Sequence, residues 1–119
     1  MGFDLTLLPQ YNQTADFSHD LIHCARDSKM FEIIGKLEKE TGREIARKGI
    51  STYVATNKDG EPFYGKTFKT PYGDIIKGVE SKKLKKVLAE YKPCDWRNKA
   101  VVSFLNELPD DLEVWLYWH

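Results

Sequence analysis

Phe3, Leu5 and Leu7 alternate with Asp4 and Thr6, a period of two that predicts a half-buried strand closed by Pro9. Gln10 to Ala15 is polar and turn-like. Phe17, Leu21, Cys24 and Ala25 then share one side of a 3.6-residue period, with Asp16, His19, Asp20, His23 and Asp27 opposite, so a short amphipathic helix capped by Asp16 or Ser18 is expected. Met30, Ile33, Ile34 and Leu37 recur at i, i+3, i+4 and i+7 behind Ser28, which predicts a second helix with Ser28 as its cap. It stops at Gly42 or runs on to Gly49, because Ile45 continues the same stripe and an internal glycine costs only about 1 kcal/mol.

Ile50 to Thr56 is rich in β-branched and aromatic residues, and Asn57 to Gly60 is a turn cluster, so a hairpin follows with Phe63 to Lys69 as its returning arm. Pro62 and Gly65 make that arm an edge strand or a bulged one. Thr70-Pro71-Tyr72-Gly73 has the residue order of a type I turn, and Asp74 to Val79 is a short third strand. Leu84, Val87, Leu88 and Tyr91 mark a helix opened by Ser81 and closed by Pro93, with lysines on its other face. Ala100, Val101, Phe104, Leu105 and Leu108 mark another, capped by Asp95 and ended by Pro109. The final run, Leu112, Val114, Leu116 and Trp118 alternating with Glu113, Trp115 and Tyr117, is apolar on both faces and belongs inside a sheet or under a second layer.

Strands and helices do not alternate along the chain, which excludes a doubly wound parallel fold. The expected architecture is α+β: a single-domain two-layer sandwich over residues 1–119, its sheet mostly antiparallel, helices on one face, and the N- and C-terminal strands neighbours. The length of 119 residues with 41% hydrophobic content supports a core without disulfides or structural metal.

Charge changes the picture only locally. The 18 Lys and Arg balance 18 Asp and Glu, which argues against a general nucleic-acid binder. Residues 80 to 99 nevertheless carry seven bases and three acids, while 100 to 119 carry four acids and no Lys or Arg. Cys24 and Cys94 lack zinc-knuckle or redox spacing and read as free thiols. Met1 to Pro9 has no basic n-region or small-residue cleavage site, and no apolar run approaches the roughly 18 residues of a membrane span, so a soluble cytoplasmic protein is expected.

No nucleophile elbow, phosphate loop or cofactor motif is present, and no cofactor is expected. The sharpest local constellation is His19, Asp20 and His23: two imidazoles at i and i+4 are half of a zinc site, and a third ligand from His119 or Cys94 would leave room for an activated water. The bland alternative is a solvated helix face. Lys82, Lys83, Lys85 and Lys86 are either that same kind of face or a phosphate-contacting patch. Fifteen aromatics are a surplus for a small two-layer fold, and Trp115, Tyr117 and Trp118 are the candidate protein-binding residues, on a strand that could extend a sheet across a two-fold axis. The leading expectation is thus a non-enzymatic protein that binds a protein partner or itself. Nucleic-acid binding through helix 81–91 comes second and metal-dependent hydrolysis third; no membrane partner is expected.

The opening Met1 to Leu5, and Asn98-Lys99-Ala100 running into Leu108-Pro109-Asp110-Asp111 and Val114 to Trp118, resemble the ends of short phage-type (prophage-encoded) proteins of unknown function. The resemblance implies a small intracellular accessory protein acting on host or phage macromolecules. It carries no site residue with it.

Overall fold

A strand apolar on both faces needs neighbours on both edges as well as cover above and below. The computed structural model, which describes residues 4–10, 22–45, 50–56, 62–67 and 69–119, gives this place to β7 (Glu113–Trp118), the middle strand of a five-stranded antiparallel sheet. One edge of β7 pairs with β1 (Leu5–Pro9), from Leu5↔Trp118 to Pro9↔Val114, and the other with β6 (Lys77–Glu80), from Lys77↔Leu116 to Glu80↔Glu113. Two-residue strands close the sheet: β2 (Ile22–His23) beside β1 and β3 (Arg43–Glu44) beside β6. Edges this short offer little unpaired backbone. A separate hairpin joins β4 (Ile50–Thr56) to β5 (Pro62–Thr67), with an irregularity between Tyr53 and Ala55.

The N- and C-terminal strands are therefore neighbours in an α+β fold, as their patterns imply. The helix expected around residues 16 to 25 is corrected at its described end. Ile22 and His23 pair with Leu7 and Thr6, and the Cys24 amide donates to Leu5 O at 3.1 Å. The short apolar spacing there fits a strand edge as well as a helix turn, and pairing with β1 decides it. Asp16, Phe17, His19, Asp20 and Leu21 lie outside the described residues.

Three helices, α1 (Ser28–Thr41), α2 (Ser81–Tyr91) and α3 (Trp96–Asn106), are described, and their apolar residues join one face of the sheet. That core holds Leu5, Leu7, Val79, Val114 and Leu116 from strands against Met30, Ile34, Leu37, Leu84, Leu88, Val101 and Leu105. On the opposite face Leu8, Ile45, Ile76, Trp115 and Tyr117 form a second buried cluster. Trp115 and Tyr117 are only 3% and 6% exposed, so they do not form the contact surface expected of them. With both edges of β7 already bonded, neither can that strand extend the sheet across a two-fold axis.

Caps explain the helix limits. The Asp27 carboxylate, rather than Ser28, caps α1 by accepting from the Met30 amide at 3.1 Å. Gly42 ends the helix: its N–H bonds to Glu38 O, and a β-carbon there would collide with the same carbonyl. Ile45 consequently leaves the helical stripe and packs on the far side of the sheet. Ser81 is the first residue of α2, not its cap; it is wholly buried, with its hydroxyl donating to Pro109 O and its amide to Leu112 O, while the Lys82 amide donates to Asp110 O. The turn before β7 thus satisfies amides that open α2. Asp95 caps α3 as expected, accepting from Arg97 N and Asn98 N.

Asn98 is the one wholly buried amide side chain among the described residues. Its Oδ1 accepts from Ala25 N at 2.8 Å and its Nδ2 donates to Ala25 O at 3.1 Å, so α3 pins the segment leaving β2 as a strand partner would. Asn98→Ala is expected to cost about 3 kcal/mol, because both backbone groups of Ala25 lose their partners. Chemical denaturation measures this. Lys92 closes α2 at φ 58°, and Lys92→Gly is expected to stabilise the protein by about 0.5 kcal/mol, removal of left-handed strain outweighing the entropy of a glycine. A rise in the thermal midpoint checks it.

Candidate functional site

Alternation along β1 sends Leu5 and Leu7 to the helices and Thr6 to the other face, where the antiparallel register sets it opposite His23 on β2 and Tyr117 on β7. His119 follows β7 and exchanges both backbone hydrogen bonds with Asp4 (2.7 and 2.9 Å). Two histidines 96 positions apart in the sequence therefore meet across three strands. The Thr6 hydroxyl lies 2.7 Å from His23 Nδ1 and 2.8 Å from His119 Nε2, with the ring centroids 6.0 Å apart.

A hydroxyl has one proton to donate, so with both rings neutral it donates to one imidazole and accepts from the other. The two tautomers are locked to each other. A proton can pass from ring to ring through Thr6, but the buried oxygen is not presented as a nucleophile. Tyr117 stacks on His119 at 5.4 Å. Desolvation holds His119 below the ordinary imidazole range, with Asp4 opposing it and the neighbouring His23 acting in the same sense as burial. Asp4 accepts a two-pronged contact from Arg26 at 2.8 and 3.2 Å, and that hydrogen bond holds its carboxyl below the usual range.

The structure thus brings His119 to His23, but both nitrogens converge on a hydroxyl at hydrogen-bond length rather than on a point about 2.0–2.1 Å away, as zinc requires. His23 sits on a strand; His19 and Asp20 lie outside the described residues. Among the described residues no three His, Cys, Asp or Glu side chains are placed to hold a metal. Cys94 is exposed between α2 and α3, and burial pushes the Cys24 thiol up to about 12.

The basic helix is partly neutralised. Lys85 donates to Leu108 O and pairs with Asp110 at 3.0 Å, and Lys83 reaches Glu80 at 3.5 Å; Lys82 and Lys86 are exposed. The acidic segment after α3 therefore lies against this face.

Two surfaces escaped the hydrophobic pattern. On α3 the buried stripe is Asn98, Val101 and Leu105, while Trp96 is 72% and Phe104 42% exposed and Ala100 is open between them. Arg97 lies over the Trp96 ring at 5.6 Å, and a shallow groove of about 480 Å³ runs from Phe104 to Ile22 and His23. Polar Asn98 on the buried side was the signal that rotates the helix, since its amide is required by Ala25. The second surface is a groove of about 690 Å³ between α1 and the 70–74 turn, walled by Phe31, Tyr72 and Trp118. Trp118 is half-buried and faces this groove, whereas Trp115 bonds to Glu113 through its indole N–H at 2.8 Å.

No family model matches this sequence, no curated protein matches it, and no solved structure matches it.

The unfolded chain protonates His119 near its ordinary value of 6.5, while the folded chain resists until lower pH. Between the two, the unfolded state binds more protons, so stability falls as pH drops below about 6.5. Asp4 contributes in a separate, more acidic window, lost below its ordinary 3.8. His119→Gln is expected to flatten the first decline and leave the second, which urea midpoints across the acid range will show.

Proposed function

We propose that this is a non-enzymatic accessory protein that works by protein–protein contact, with a second copy of the chain as its first partner and the outer face of α3 as the contact. The observation that carries this reading is the exposed row Trp96, Ala100 and Phe104, four residues apart and therefore on one helix face. Large exposed aromatics are costly in water and are the residues that concentrate energy in interfaces. In an antiparallel pairing across a two-fold axis, the small Ala100 lets two helices approach while Trp96 of each packs on Phe104 of the other. The first turn carries Arg97 and Lys99 and the residue after the helix is Glu107, so the helix is complementary in charge to itself reversed.

The surface moves from the β7 aromatics to α3, but the class of function is the one expected from the sequence, and the phage-type resemblance of the chain ends supports an accessory role. The free thiols of Cys24 and Cys94 fit a reducing cytoplasm. No described helix is long and apolar enough to cross a membrane.

Light scattering over a concentration series tests the proposal. The expected result is a dimer that Trp96→Ala or Phe104→Ala weakens about 30-fold each, because each substitution removes two side chains per dimer at about 1 kcal/mol apiece. Circular dichroism is expected to stay unchanged because both side chains are exposed. A monomer at the highest soluble concentration, or a dimer indifferent to both substitutions, overturns it.

A further inference from the structure

The groove beside α1 combines two features that select one kind of ligand. Its walls are aromatic: Phe31 and Trp118 meet edge to face, centroids 5.6 Å apart at 80°, and form a corner that the exposed Tyr72 faces from the 70–74 turn. That turn is held by Gly73 N–H to Thr70 O at 2.9 Å and Thr70 N–H to Asp74 O at 2.8 Å, so Tyr72 is carried on a braced loop. Its rim is acidic, with Glu32 and Glu38 from α1 and Asp74 from the turn.

The basic group on the rim, Arg26, has its guanidinium directed to Asp4. The carboxylate of Asp27, also on the rim, is occupied by Tyr91 and the Met30 amide. Lys77 acts on Glu38 from beyond the groove. What remains facing the cavity is aromatic surface under a surplus of negative charge. From this complementarity we propose that the groove binds a small organic cation, an amine or guanidine with an apolar body, whose charge meets Glu32, Glu38 and Asp74 while its body packs against Phe31, Trp118 and Tyr72.

The volume of about 690 Å³ falls within the range of small-molecule sites, roughly 300–1,000 Å³. Ring faces attract cations through their quadrupole, and the attraction grows as water is removed. Burial already holds the Glu38 carboxyl above the ordinary carboxylate range, opposed by its bond from Trp118 and by Lys77, so a desolvated acid stands where the ligand charge would arrive. The site is independent of the α3 contact and remains whether or not the chain dimerises.

Calorimetric titration with three soluble probes of one shape tests the proposal: phenethylammonium, neutral 2-phenylethanol and anionic 3-phenylpropionate. The cation is expected to bind at least about tenfold more tightly than the alcohol, a difference of about 1.4 kcal/mol, and the anion not at all. Glu32→Gln combined with Asp74→Asn, which leaves Glu38 in place, is expected to reduce that preference severalfold without moving the thermal midpoint. Tyr72→Ala is expected to weaken both cation and alcohol. Equal binding of cation and alcohol, a preference that the double substitution leaves undiminished, or no binding of the cation at about 10 mM overturns the proposal.

Discussion

The antiparallel pairing of β1 with β7 is the constraint on which the remaining structure hangs. It joins residues more than a hundred positions apart, and once its register is fixed every other placement follows. Leu5, Leu7, Val114 and Leu116 are committed to the helical side, and Thr6, Leu8, Trp115 and Tyr117 to the other. A slip of one residue would exchange the two sets and put Thr6 among the leucines. The same register brings Asp4 beside His119, and the pairing of β1 with β2 sets Thr6 beside His23, so the polar constellation is a by-product of the pairings that build the sheet.

Much of this was legible because period and burial agree. The double apolar alternation of residues 112 to 118 could only sit between two strands, and the stripes of α1 and α2 are long enough for their period to be unambiguous. Legibility failed where a polar side chain outranks hydrophobic spacing. In α3 the row Ala100, Phe104 and Leu108 competes with Val101 and Leu105; the structure turns the helix so that Asn98 reaches Ala25, and Phe104 faces outward. At His23 the period of the preceding residues points to a helix, yet edge pairing with Thr6 wins, a tertiary decision that no local window contains.

The candidate surfaces were less readable for a related reason. Spacing on one helix suggested His19 with His23, whereas the partner that reaches His23 through Thr6 is His119. The groove beside α1 draws on residues from α1, the 70–74 turn and the last residue of β7, three segments that share no sequence pattern. Its acids read individually as ordinary solvated charge; only their convergence around Phe31 and Trp118 gives them a common chemistry.

The central position of β7 also orders events during synthesis. It is the last of the described elements to leave the ribosome, yet β1 and β6 both depend on it as their shared partner. Until it emerges, the apolar stripes of three finished helices have an incomplete sheet to cover them. The sheet that covers the helices is therefore completed only once β7 is available to both of its neighbours, β1 and β6, which precede it in the chain.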